Sequence, residues 1–258
     1  MYTHNLIFKV IRFLIIASFC LSSYKIYCGD SVAYNERDIQ VPRVLKAGVF
    51  EEYMPDFTQE IEPLCIEKTN YITFIKMLSS TPFRINLIDE GITAEELEKI
   101  SSLSSTLYGL DLSDNYLDKK ILKSLSLFVE LRFLNLAGNH LKDDALEFLS
   151  PLNKLNHLIL TYNKITANGL EFLLNFNNLE CLDISSIYWD ERFLSIIPQF
   201  TKLKGLNVSL CNLDDRHLDC FTKMGNLKHI NISGNNFNSD ALRIFLDHAQ
   251  RNGLEVKF

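Results

Sequence analysis

With 258 residues, 47% hydrophobic side chains, 18 phenylalanines and only 6 prolines, the chain has the material of a folded core and not the composition of a disordered one. A formal net charge of -6, with no basic stripe interleaved with aromatics, excludes the composition of a nucleic-acid binder. The cysteines at 20, 28, 65, 181, 211 and 220 include no CxxC pair or close cluster, so neither a disulfide framework nor a metal site is indicated.

The N-terminus differs from the rest. Lys9 and Arg12 precede an apolar run over 13–21, and small polar residues follow, which is the order of regions in a secretory signal peptide. Residues 1–28 are read as that signal. The uncharged run is short for about 30 Å of hydrocarbon, but with Lys9 and Arg12 snorkelling, residues 6–21 offer a membrane anchor as the alternative. The expected location is secreted or cell envelope, or membrane-anchored if that alternative holds. Residues 29–80 show no clear repeat and read as an N-terminal cap region, with a helix expected over 69–79.

From residue 81 onward a repeat takes over. The stretch LRFLNLAGNHL at 131–141 returns as LYGLDLSDNYL at 107–117 and LNHLILTYNKI at 155–165. Taking Asn139 as an anchor, the equivalent positions are Glu90, Asn115, Asn163, Ile187, Cys211 and Asn235, spaced by 25 and then by 24 residues. The residues five and three before each anchor, such as Leu134 and Leu136, are apolar, and polar or small residues alternate with them, which predicts a short strand. A leucine stands seven residues after every anchor, at 97, 122, 146, 170, 194, 218 and 242. Helix N-caps are expected at Thr93, Asp118, Thr166, Asp190, Asp214 and Asn238, with Asp143 one position late. Each unit is then a strand, a turn and a helix, and burying both faces requires stacking into a curved α/β solenoid with parallel strands on the concave face and helices on the convex face.

The LxxLxLxxNxL pattern of Leu107-Leu110-Leu112-Asn115-Leu117 and its successors resembles the leucine-rich-repeat signature, in its short-period, ribonuclease-inhibitor-like or bacterial form. The resemblance covers 81–258. It implies a leucine-rich-repeat solenoid that binds a protein partner without catalysis, and it brings no catalytic residue and no cofactor. Asn115, Asn139, Asn163, Cys211 and Asn235 are expected to serve structure, filling the inward turn with donors and acceptors. Ile187 cannot do so, and an irregularity is expected there, relieved by Ser185, Ser186 or water. At the other end, Leu254, Val256 and Phe258 continue the 24-residue phase as a last strand, whose edge offers self-association.

The outward columns of the sheet carry the candidate binding residues. Six positions before the anchors stand Arg84, Phe133, His157, Cys181 and His229; four before stand Asp111, Asn135, Ile159, Asp183, Asn207 and Asn231. Phe133, His157 and Ile159 read as an apolar centre among polar rungs, with Tyr116, His140, Tyr188 and Trp189 on the adjoining rim. The opposing reading is a solvated ladder that bonds only to itself. Asp111 and Asp183, three rungs apart, are too distant for paired-carboxylate chemistry, and the neighbouring His157 and Cys181 lack an orienting third group. The sequence therefore favours an exported interaction scaffold binding through the concave face. Two alternatives stay open: an enzyme regulator or adaptor acting through residues 31–80, and an assembly protein joined through its C-terminal edge.

Overall fold

A computed structural model describes residues 83–258. The expected signal or anchor and the cap region lie outside the described residues. Eight strands, β1 (Phe83–Asn86), β2 (Leu107–Asp111), β3 (Phe133–Asn135), β4 (His157–Ile159), β5 (Cys181–Asp183), β6 (Gly205–Asn207), β7 (His229–Asn231) and β8 (Glu255–Lys257), form one open parallel sheet in chain order. The register runs straight across it, with Leu110, Leu134, Leu158, Leu182, Leu206 and Ile230 side by side. All six are buried, and together with Leu112, Leu136, Leu160, Ile184 and Val208 they build the inner wall of the core.

Helical segments return the chain from the end of one strand to the start of the next. They are α1 (Ala94–Ile100), α2 (Lys119–Leu125), α3 (Ala167–Leu173), α4 (Phe193–Ile196), α5 (Asp215–Thr222) and α6 (Ser239–Asn252). Between α2 and α3 the expected α-helix is instead a 3-10 segment, Asp143–Leu149. Asp143 does not cap it. Its carboxylate accepts from the amide and hydroxyl of Thr166 in the next unit, at 2.7 and 2.6 Å. Thr93, Asp118, Thr166, Asp214 and Asn238 cap their helices as the sequence predicts. Asp190 accepts from the Arg192 amide, but α4 starts later, with Arg192 at its cap position.

Of the seven phased leucines, Leu97, Leu122, Leu146, Leu170 and Leu218 are buried, while Leu194 and Leu242 are half-buried. Each fully buried leucine contributes roughly 1.5–3 kcal/mol, and no unit collects enough of them to stand alone. Because the helical layer is wider than the roughly 4.8 Å strand spacing, the sheet lies on the inside of the bend.

The anchor positions tie neighbouring units together. Asn139 Nδ2 donates to the carbonyls of Leu112, Leu136 and Ala137, and its Oδ1 accepts from the amides of Asn115 and Leu117. Asn115, Asn163 and Asn235 repeat the pattern. Cys211 takes over the donor half, its thiol reaching the carbonyls of Ile184 and Ser209 at 3.2 and 3.4 Å. Ile187 supplies no polar group, and there the Ser185 carbonyl takes the Thr161 hydroxyl from the adjacent rung, at 2.8 Å.

The last strand departs from the expected phase. Ile230 pairs with Val256 and not with Leu254, so the step is two residues longer than the repeat and is taken up by the 14-residue α6. Phe258 thus falls beyond the paired segment.

Asn139→Ala removes five hydrogen bonds from a buried turn and is expected to lower unfolding stability by about 1–3 kcal/mol, against less than about 1 kcal/mol for the half-buried Asn135→Ala. Chemical-denaturation midpoints of the two variants check this, and equal losses would contradict the assigned facing.

Candidate functional site

On the outward face of the sheet, strand spacing brings equivalent side chains into hydrogen-bonding range, and they bond to one another. Over β1–β3, Asp111 Oδ2 accepts from Arg84 at 3.2 Å and from Asn135 Nδ2 at 3.0 Å, while Oδ1 takes the amide and hydroxyl of Ser113. Over β5 and β6, Asp183 accepts from Asn207 Nδ2 at 2.8 Å and from the amide and hydroxyl of Ser185. Asn207 and Asn231 in turn accept from Ser209 and Ser233. Asp111, Asp183, Asn207 and Asn231 are therefore buried, not outstretched as the alternation alone suggests.

Burial holds the Asp183 carboxyl above its ordinary range, outweighing the donors from Ser185 and Asn207. At the far end of the face, His229 lies 2.9 Å from Glu255 and links β7 to β8.

The two ladders do not meet. Between them stands Ile159, half-buried and apolar, with His157 beside it on β4. Phe133, next to His157, is buried under the guanidinium of Arg84, which lies 3.7 Å from the ring centroid. The three apolar-centre residues thus share one neighbourhood, but only His157 and Ile159 present appreciable surface. His157 Nδ1 is engaged with Asn156 Oδ1 at 2.8 Å, and burial pulls the imidazole pKa down. Cys181 pairs with His157 in register, but burial pushes its thiol up to about 12, and the thiolate needed for nucleophilic chemistry is not populated at neutral pH. No group of three metal-ligating side chains gathers among the described residues. Both N-x-S matches place their asparagines, Asn207 and Asn231, inside this ladder, where neither side chain is accessible to a glycosylating enzyme.

At the rim where strands pass into turns, the backbone repeatedly enters the left-handed region. Asp89, Asp114, Tyr116, His140, Tyr162, Ser186, Leu210 and Asn212 all have φ between 52° and 58°. The turn imposes that conformation; the side chain is a separate choice. Gly138 and Gly234 meet it without strain, whereas a tyrosine or leucine there costs of order 1 kcal/mol. Tyr116, Tyr162, Tyr188 and Leu210 nonetheless stand exposed along this edge, and the rings of Tyr116 and His140 lie 5.5 Å apart. Trp189, expected on the same rim, is buried, stacked on Phe193 at 4.7 Å. Tyr162 and Leu210 were missed by spacing alone. Gly138 and Gly234 at the matching place were the available signal.

The architecture now has a family to compare with. Residues 131–150 and 152–174 match the family model described as leucine rich repeat. Those two matched units and the chain-ordered parallel sheet agree with a leucine-rich-repeat solenoid. Among solved structures, an internalin from Listeria monocytogenes is similar at 15% identity and a TM-score of 0.42, over 62% of this chain and 56% of the internalin. No curated protein matches. The leucine-rich-repeat fold is in general a protein-interaction scaffold whose members are not enzymes.

Asp183 gives a pH test. A folded-state pKa above the ordinary 3.8 means that this group's contribution is complete below that value and is lost as pH rises through the raised pKa. Wild-type stability should therefore fall relative to Asp183→Asn as pH increases from about 4 toward neutrality. Parallel stability–pH curves from urea titrations would show that the carboxylate is not destabilised by burial.

Proposed function

We propose that this protein recognises another protein, without catalysis, through the concave sheet centred on β4. The observation that carries the reading is the interruption of the polar ladder by Ile159. The flanking carboxylates and amides are bonded to one another, so Ile159 and His157 form the central part of the face with apolar surface to offer, apart from Ile88 at its β1 end. A partner covering them gains from desolvation, while Asn135 and Thr161 at the edges still accept or donate. The test is retention of a host partner by His157→Ser with Ile159→Ser, changes on a face that packs against no helix. Partner retention is expected to fall about tenfold, with circular dichroism unchanged. Undiminished retention would remove the site from the concave face.

The same proposal places the solenoid outside the cytoplasm, because 1–28 has the order of regions of an export signal. No helix among the described residues is long and apolar enough to cross a membrane. Protein recovered from the native host is expected to begin between about residues 22 and 31. An intact mass retaining Met1 in the membrane fraction would instead mean anchoring through 6–21.

A second reading has its own observation. Phe258 is 67% exposed beside β8, and Ile244 on α6 is 64% exposed, which supports assembly through that edge. Sedimentation of Phe258→Ser and wild type over a range of concentrations separates assembly from recognition in trans. A regulatory role for residues 31–80 remains the third reading.

A further inference from the structure

We propose that the rim, and specifically its end at Tyr116 and His140, docks a basic segment of a protein partner. The inference rests on the reading of the chain as a recognition scaffold and adds where and by what chemistry it binds. Tyr116 is 74% exposed, Tyr188 75% and Tyr162 48%, and they follow one another along the turns that leave β2, β4 and β5. Tyr116, His140 and Tyr162 occupy left-handed positions that glycine, asparagine or aspartate fill at equivalent turns. An aromatic ring at such a place does nothing for the turn, so its use lies in what it shows to solvent.

The charge beside Tyr116 selects the occupant at that end of the rim, away from Lys164, which stands exposed between Tyr162 and Tyr188. Asp89, Glu90 and Asp114 sit on the two turns next to Tyr116, with Asp89 and Asp114 at equivalent positions whose amides reach the following rungs at 3.0 and 2.9 Å. None of the three carboxylates joins an ion pair among the described residues. The fold itself displays what such a pairing of groups accepts. On the neighbouring face, Arg84 lies over the Phe133 ring at 3.7 Å while bonding a carboxylate, Asp111, on the adjacent strand at 3.2 Å. Tyr116 with Asp89 and Asp114 presents the same two components, ring and carboxylate, to the outside. An arginine or lysine from a partner completes it by combined cation–π and charge attraction.

The test uses the full chain and a fluorescent octapeptide of alternating glycine and arginine, titrated by anisotropy at physiological ionic strength. Wild type is expected to bind it and to ignore the glycine–glutamate counterpart. Tyr116→Asn combined with Tyr162→Asn and Tyr188→Asn leaves the net charge unchanged and is expected to weaken binding roughly tenfold. Because asparagine tolerates the left-handed region that Tyr116 and Tyr162 occupy, and Tyr188 is 75% exposed, the melting midpoint of that variant should equal or exceed the wild type. Binding by the tyrosine variant within about twofold of wild type would reduce the attraction to net charge and overturn the proposal, as would no binding by wild type. Loss confined to His157→Ser with Ile159→Ser would also overturn it, while leaving protein recognition on the concave face intact.

Discussion

The side-chain amide at the anchor position is the interaction on which this solenoid depends. Each strand is only a few residues long, and the chain must turn sharply after it, leaving carbonyls and amides that the sheet does not satisfy. An asparagine answers both needs at once, donating to carbonyls of its own turn and of the preceding one while accepting from the preceding unit's amides. Consecutive units are thereby fixed in height as well as in spacing. The leucines supply most of the burial energy, but burial alone does not choose the register in which one apolar strand lies on the next. Where the amide is missing, the remedies are local: a thiol at Cys211 keeps the donor function, and a neighbouring threonine serves the Ile187 unit.

The same short rung spacing governs the outward face. Side chains of aspartate, asparagine and serine brought this close prefer one another to water, so the face becomes two internally bonded ladders instead of a field of free polar groups. That arrangement stiffens the sheet and leaves recognition to the places where the ladder breaks or ends. Ile159 marks the break; the rim tyrosines lie beyond the end. A small charged column, which looks like a ready-made site in one dimension, is in three dimensions largely a piece of scaffolding.

Much of this was legible in the sequence. The strand positions, the parallel order, the phased leucines and most of the helix caps follow from a strict period, because in a stacked repeat each contact recurs with the neighbouring copy. What escaped had a common cause: it depends on side-chain reach between rungs. Whether Asp183 points to solvent or into Ser185 and Asn207, and whether Arg84 extends outward or folds over Phe133, is set by competition among neighbours that no single unit encodes. Trp189 was misplaced for a related reason. Its position relative to the anchor suggested the rim, but the apolar neighbours Phe193 and Phe221 claim it for the core. The 3-10 segment at Asp143–Leu149 likewise goes with an Asp143 that serves Thr166 in the next unit and does not cap its own.

The extra two residues in the step from β7 to β8 show what kind of length the architecture measures. Ile230 and Val256 pair with their inward faces intact, although the connecting segment is longer than in the preceding units. The step from Ile85 to Leu110 is one residue longer than the repeat and that from Ile230 to Val256 two residues longer, yet both pairs stay in register, because alternation holds along each strand and is not carried through the turn and helix between strands. Variation among units of such a protein is thus absorbed outside the strands: the connecting layer can lengthen by one residue or by two while the sheet beneath keeps its register.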